Sequence, residues 1–154
     1  IDVASGANWN IQPNIDKIRR DEDAHIIVGN TVSTEGFLFL EFSKVNAVRV
    51  GVAGGAGCTT KNATGIYHPM ISLIKETYHG RQNHHISIIS DGGIKEPADF
   101  CKAMIFGADV CMFGSLIANT KDSPAEKVQK DKKWYTQFSG SASEKVQQTY
   151  KDVP

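Results

Sequence analysis

The chain has 154 residues, of which 40% are hydrophobic and 22% are charged, and its 17 basic residues balance its 17 acidic residues. This length suits one domain with a substantial core, and the balanced charge excludes a general electrostatic attraction to nucleic acid or to a membrane surface. Three cysteines without CxxC spacing argue against a disulfide scaffold and a zinc site, and we expect a reducing, cytoplasmic environment.

Short apolar segments along the chain predict β-strands. Each run is nearly continuous rather than alternating, which is typical of strands covered on both faces in a parallel sheet. The predicted strands are Ile1–Val3 (a truncated strand), His25–Gly29, Ala47–Val52, Ile86–Ser90 and Val110–Phe113. No apolar run approaches the roughly 20 residues of a membrane span, so we expect no membrane association. Because the chain begins with neither a methionine nor a signal-peptide pattern, we expect it to be an internal piece of a longer polypeptide.

Helices are predicted between these strands, where apolar residues recur at helical spacing. The predicted segments are the stripe of Ile11, Ile15 and Ile18, then Phe37–Glu41, Met70–Tyr78 and Pro97–Phe106, which Gly107 ends. A βα repeat of about 22–25 residues predicts a parallel α/β fold. Five strands are too few for a complete barrel of about 250 residues, so the pattern leaves open a small doubly wound sheet or roughly half of a barrel.

The most informative segment is the glycine-rich stretch Gly51–Thr60, which reads GVAGGAGCTT and follows the third predicted strand. A backbone with so few side chains can turn tightly and approach a ligand closely. Cys58 in this loop is a candidate nucleophile at the carboxyl end of a strand, which is where parallel α/β folds bind their ligands. The alternative interpretation is a glycine-rich turn that holds an incidental buried cysteine.

Two polar clusters follow the next two predicted strands. Asp91-Gly92-Gly93 offers a carboxylate for ribose hydroxyls and backbone amides that can surround a phosphate. Gly114 and Ser115 open the next helical segment and add N–H donors and a hydroxyl for the same anion. Each motif alone is typical of an ordinary turn, but together they predict a site for a nucleoside monophosphate.

We assign no chemical role to the histidines of the central segment or to the two cysteines other than Cys58. The central histidines lie in a helix start and a polar connection without HExxH-type spacing, so we interpret them as solvated. These residues are His68, His79, His84 and His85. Cys101 and Cys111 fall within apolar helix and strand patterns and are predicted to be core residues.

The order of these motifs resembles that of the IMP dehydrogenase/GMP reductase family. The matching elements are Asp2-Val-Ala-Ser-Gly, Gly29-Asn30, GVAGGAGCTT, SDGGI, MFGSLIA and SGSAS, and they run across essentially the whole chain. The resemblance implies an α/β fold of the (β/α)8 TIM-barrel type, of which this chain covers roughly strands 4–8. Residues 1–120 would form the C-terminal part of the barrel, and residues 121–154 a flap-like mobile segment.

The resemblance also implies a purine-nucleotide oxidoreductase. The tail Phe138–Glu144 resembles a bacterial-type GMP reductase, which converts GMP and NADPH to IMP, ammonia and NADP. Cys58 would attack the purine C2, with Thr60 and Asp122 assisting proton transfer. The alternative within the family is IMP dehydrogenase, which converts IMP, NAD and water to XMP and NADH. The alternative of another class is a non-catalytic nucleotide-binding relative.

Binding residues follow from the same resemblance. The nucleotide site would comprise Asp91, Gly92, Gly93, Gly114, Ser115 and Ser141, and the cofactor side Asp2 and Asn30. Backbone carbonyls of Gly55 and Cys58 would hold a monovalent cation such as potassium. The resemblance further implies a homotetramer for the full-length protein.

The chain also departs from the family pattern. Ala53 replaces a usual glycine, Ala56 stands where a phosphate-binding serine is expected, and Asp122 replaces a usual glutamate. The loss of one hydrogen bond to a charged phosphate would cost about 1.5–3 kcal/mol of binding free energy. We therefore expect weakened rather than abolished binding, and both a divergent enzyme and a non-catalytic relative remain open.

Overall fold

The computed structural model describes residues 1–55, 58 and 60–136. The strands of this part are β1 (Ile27–Thr31), β2 (Ala47–Val50), β3 (Ser87–Asp91), β4 (Val110–Met112), β5 (Lys127–Lys130) and β6 (Lys133–Thr136). The α-helices are α1 (Gln12–Asp21), α2 (Thr34–Phe42), α3 (Thr60–Thr64), α4 (Met70–Gly80), α5 (Pro97–Ile105) and α6 (Ser115–Ala118). A 3-10 turn, Trp9–Ile11, precedes α1.

The predicted alternation of strands and helices is confirmed, with small displacements of the element bounds. The truncated first strand is present as a single parallel bridge between Asp2 and Gly29. Helix α3 and the pair β5–β6 were not predicted.

Local chemistry explains where the helices begin. The Ser33 hydroxyl accepts the Gly36 N–H at 3.1 Å and thereby caps α2. Pro97 occupies the first turn of α5, where its missing N–H costs no hydrogen bond. Gly107 follows α5 with a φ of 115°, which favours glycine and ends the helix.

The main sheet is parallel and its strand order is β1-β2-β3-β4. The register places Gly29 opposite Arg49, and Arg49 opposite Ile89. This order never reverses, which is the arrangement of strands in a (β/α)8 barrel. Doubly wound sheets reverse their strand order at a switch point, so the observed order favours the barrel over the doubly wound alternative.

The two faces of the sheet differ in burial. One face packs against α2 and α4, and its residues Val28, Val48 and Ile88 are 0% exposed. On the other face, Ala47 of β2 and Ile89 of β3 are buried, at 7% and 6% exposure, whereas Ile27 of β1 and Val110 of β4 are 45% and 49% exposed. The prediction that the strands are covered on both faces is therefore confirmed for the central strands β2 and β3, and it is wrong for the outer strands β1 and β4 in the described part of the chain.

Strands β5 and β6 form an antiparallel hairpin within the segment that was predicted to be a mobile flap. The turn residues Asp131 and Lys132 both have positive φ, 53° and 61°. Trp134 and Tyr135 on β6 are exposed. Mobility of residues 121–154 stays a prediction, and those after residue 136 lie outside the described part.

Among the described residues, no helix combines the length and the apolar composition needed to cross a membrane.

Candidate active site

Polar side chains meet in one network at the carboxyl ends of the parallel strands. Arg49 on β2 is its centre: Nη1 lies 2.7 Å from Asp2 Oδ1, and Nη2 donates to Asp91 Oδ2 at 2.7 Å. The register brings these groups together, because Asp2 bridges to Gly29 and Gly29 lies opposite Arg49. A Cβ on Gly29 would collide with Arg49, so glycine is required for this close approach.

Asn30 joins the same network from β1. Its amide nitrogen donates to Asp91 Oδ2 at 2.7 Å and to the Gly51 carbonyl at 2.5 Å, and the residue is only 8% exposed. Oδ2 of Asp91 thus accepts hydrogen bonds from both Asn30 and Arg49. The structure therefore brings together Asp2, Asn30 and Asp91, which the sequence analysis assigned to separate cofactor and nucleotide sides.

Arg49 itself was missed by the sequence analysis. The signal that could have revealed it is a single charged residue in an apolar strand, because such a residue needs a partner when it is buried. Burial of the guanidinium opposes its charge, but hydrogen bonds to Asp91 and Asp2 and their negative charges outweigh this and raise the pKa of Arg49. Its Nε is buried and has no hydrogen-bond partner among the described residues.

The turn after β3 contacts the loop that carries Cys58, which we call the thiol loop, through backbone atoms. The Gly93 N–H donates to the Gly54 carbonyl at 2.9 Å. A Cβ on Gly92, whose φ is 93°, would lie 2.9 Å from the Gly54 carbonyl carbon and from the Gly55 nitrogen. Glycine at 92 therefore allows the loop that carries Cys58 to lie beside the end of β3. The Gly93 amide, predicted to be free for a phosphate, is bonded to Gly54 instead.

Cys58 is half-buried on this loop. Its thiol donates to the Thr60 hydroxyl oxygen at 3.2 Å, and its N–H donates to the Gly55 carbonyl at 3.1 Å. Asp122 is exposed in the turn after α6, and within the described residues no hydrogen bond joins it to Thr60. The structure thus brings Cys58 and Thr60 together but does not pair Thr60 with Asp122.

Ala53, one of the departures from the family pattern, lies at the start of the thiol loop. It is 9% exposed and has a φ of 64°, in the left-handed region that favours glycine. Alanine therefore occupies a strained backbone position here. Ala56, another departure, lies outside the described residues.

Gly114 and Ser115 leave the sheet at the same edge as Asp91. Met112 of β4 pairs with Asp91 of β3, and Ser115 begins α6 shortly after it. Ser115 is half-buried, whereas Gly114 is exposed. Ser141, also predicted to bind the nucleotide, lies outside the described residues.

Metal-binding side chains do not cluster in the described ranges, where no group of three or more His, Cys, Asp or Glu residues could hold an ion. The Gly55 carbonyl, expected to bind a cation, already accepts the Cys58 N–H at 3.1 Å. A monovalent cation held by the carbonyls of Gly55 and Cys58 stays a prediction.

The other cysteines differ from each other in burial. Cys101 on α5 is exposed, so its prediction as a core residue is wrong; it lies on the side of α5 that does not face the sheet. Cys111 on β4 is half-buried, with its sulfur 3.8 Å from the Met104 sulfur. Burial raises the pKa of the Cys111 thiol.

The fold and the site define a parallel α/β protein that carries a thiol loop and an arginine–carboxylate network at the carboxyl edge of its sheet. Its sequence matches the model of the IMP dehydrogenase / GMP reductase domain over residues 1–153. The chain therefore belongs to the IMP dehydrogenase/GMP reductase family.

Relatives of both activities match the chain. It is 34% identical over 154 residues to GMP reductase 2 of Mus musculus, covering 97% of the chain and 43% of the relative. It is 36% identical over 144 residues to the inosine-5'-monophosphate dehydrogenase of Borreliella burgdorferi, covering 93% of the chain and 36% of the relative. The chain spans less than half the length of these relatives, and the two activities match it at nearly equal identity.

Proposed function

We propose that the protein containing this chain is a purine-nucleotide oxidoreductase, and more specifically a GMP reductase, with Cys58 as its nucleophile. One observation carries the proposal: the Cys58 thiol lies 3.2 Å from the Thr60 hydroxyl, on the loop that contacts the turn after Asp91. A sulfur, a hydroxyl and a carboxylate thus share the edge of the sheet where such folds bind ligands. Family membership supports the same conclusion.

The proposed chemistry suits a thiolate, which can both add to an electron-poor ring carbon and leave it. The Cys58 sulfur bonds to the purine C2, and the C2 amino group departs as ammonia after gaining a proton. The Thr60 hydroxyl, which accepts from the thiol, can turn to donate to the thiolate and can relay that proton. Hydride arriving at C2 and departure of the Cys58 thiolate then yield IMP.

The nucleotide would be held by groups at the same edge. Oδ2 of Asp91 is occupied by Asn30 and Arg49, so we assign Oδ1 to the ribose hydroxyls. Since the Gly93 amide is bonded to Gly54, Gly114 and Ser115 are the stronger phosphate donors in this proposal.

Asp2, Asn30 and Arg49 would hold the nicotinamide cofactor, which supplies or accepts the hydride when bound. The residues fit a polar ligand for two reasons. The Asp2 side chain is 77% exposed and uses one oxygen in its ion pair, and Arg49 keeps a buried Nε without a partner in the described part of the chain. We propose NADPH for the reductase and NAD for the dehydrogenase.

IMP dehydrogenase is the second candidate, favoured by the 36% identity to the Borreliella burgdorferi enzyme. Hydride would then leave the C2 of IMP, and water would displace the Cys58 sulfur to give XMP. A non-catalytic nucleotide-binding relative is supported by the strained Ala53 and by the absence of a Thr60–Asp122 hydrogen bond in the described residues.

Several finer assignments belong to the same proposal. The sequential parallel order supports placing these strands as barrel strands 4–8, with the rest of the barrel supplied by other parts of a longer polypeptide. A homotetramer, a cytoplasmic location and a potassium ion near Gly55 follow from the resemblance, and no step of the mechanism depends on them.

The test compares GMP plus NADPH with IMP plus NAD as substrates of the full-length protein and its Cys58→Ala variant. The proposal expects oxidation of NADPH with release of ammonia, lost in Cys58→Ala while GMP binding remains. NADH formation from IMP would instead establish the dehydrogenase. Nucleotide binding with background rates in the unmutated protein would establish the non-catalytic relative.

A further inference from the structure

The Cys58 loop is part of a long segment, residues 51–69, that runs from the end of β2 to the start of α4 and that we call the thiol excursion. At its beginning it is fixed by the hydrogen bond from the Gly93 N–H to the Gly54 carbonyl. Farther along, residues 62–67 are all exposed, with Ile66 at 53%. Such a segment buries little surface, so an attachment at its far end helps to hold it in place.

His68 supplies that attachment, immediately before α4. Its Nδ1 lies 3.1 Å from the Val32 carbonyl, and its Nε2 lies 3.6 Å from Glu76 Oε2 on α4. Val32 follows β1, the strand that carries Asn30 of the polar network. The imidazole thus connects the end of the thiol excursion both to the strand end that presents Asn30 and to the body of α4.

Both the Val32 carbonyl and the Glu76 carboxylate can only accept hydrogen bonds. The 3.1 Å distance from Nδ1 to the Val32 carbonyl is that of a hydrogen bond, whereas the 3.6 Å distance from Nε2 to Glu76 is longer than one. Glu76 is the charged side chain that faces the ring from α4, and a backbone carbonyl faces it from the β1–α2 loop. In the described residues, no other charged side chain lies within ion-pair distance of this ring.

We propose that His68 is a positioning residue that holds the end of the thiol excursion against the strand end that presents Asn30. As far as it concerns catalysis by Cys58, this inference rests on the proposed function. The attachment itself does not depend on that function and has a separate readout.

Hydrogen exchange of the amides of residues 60–68 in the full-length protein is that readout. His68→Ala removes both contacts and is expected to speed this exchange about fivefold, which corresponds to the loss of about one net hydrogen bond. His68→Asn, which can still donate to the Val32 carbonyl, should restore part of the protection. His79→Ala, at an exposed histidine on α4, is the matched control and should leave the exchange unchanged.

Glu76→Gln separates the two contacts of the ring. It removes the carboxylate charge 3.6 Å from Nε2 but leaves the hydrogen bond to the Val32 carbonyl, so most of the protection of residues 60–68 should remain.

Equal protection in His68→Ala and His79→Ala, or a loss of protection in Glu76→Gln as large as that in His68→Ala, would overturn the proposal. The proposed function fails differently, because a protein without turnover would still show the effect of His68 on exchange. Where turnover is present, His68→Ala should raise KM for the nucleotide more than it lowers kcat, and His68→Asn should reverse part of that rise.

Discussion

Arg49 donates a hydrogen bond of 2.7 Å from Nη2 to Oδ2 of Asp91, across the neighbouring parallel strands β2 and β3. Both side chains are largely shielded from water, at 16% and 21% exposure. In such surroundings a hydrogen bond between charged groups is stronger than at the surface, and removal of one partner leaves the other uncompensated. The pair therefore links the folding of the sheet to the geometry of the candidate site.

Arg49→Met should lower the free energy of unfolding by about 1–3 kcal/mol, because it leaves the carboxylates of Asp91 and Asp2 without their cation. Arg49→Lys should cost less stability but should not restore the site, since an ammonium lacks the planar fork that donates to both carboxylates. Urea denaturation measures the change. As a control, Arg20→Met at a 73% exposed side chain should change the stability by less than about 0.5 kcal/mol. Equal effects at the two arginines would contradict a stabilising network.

The adjacent glycines of the turn after β3 offer a matched pair of substitutions. Gly93→Ala meets no atom of the described residues within 4 Å and should cost only the left-handed backbone strain, about 1–2 kcal/mol. Gly92→Ala adds a Cβ at 2.9 Å from the backbone of Gly54 and Gly55, so it should cost at least about 1 kcal/mol more. Thermal or urea unfolding measures the difference. Equal costs would show that the turn and the thiol loop do not meet as closely as this structure has them.

Reactivity toward iodoacetamide should distinguish the cysteines outside the thiol loop. At neutral pH, exposed Cys101 should be modified faster than half-buried Cys111, because burial raises the pKa of Cys111 and leaves less thiolate. Raising the pH should accelerate modification of Cys111. Mass spectrometry of the peptides after timed labelling measures both rates, and faster labelling of Cys111 than of Cys101 would refute the burial of its sulfur.

The strands and their functional edge could be predicted because both leave local signals. Continuous apolar runs mark β1 to β4, and the polar residues that follow them, such as Asp91 and Asn30, must converge in a parallel sheet. Arg49 was harder to interpret, since its partners lie on other strands. Glu41 shows the same limit: it is 7% exposed, and its carboxylate accepts the N–H groups of Gln82 and Asn83 from a distant loop. Such partners follow from tertiary packing and leave no periodic pattern.

The hairpin β5–β6 was missed for a different reason. Hairpin turns with positive φ at both central residues usually contain glycine or asparagine, and that composition is the usual sequence signal. Here Asp131 and Lys132 take these positions, at φ values of 53° and 61°. Exposed residues on both strands also hide the alternation expected of a half-buried hairpin.

Lys132→Gly should therefore stabilise this hairpin, because it removes the left-handed strain of a lysine at φ 61° and gives the turn its preferred Asp-Gly sequence. The relief is about 1 kcal/mol, which should slow amide exchange in the hairpin about fivefold. Hydrogen exchange over residues 127–136 measures it. Gln129→Gly, a strand position opposite Trp134, is the control and should speed exchange, since glycine weakens a strand interior. If both variants change exchange in the same direction, the turn cannot be of the strained two-residue kind, because relief at the turn and weakening of the strand have opposite signs.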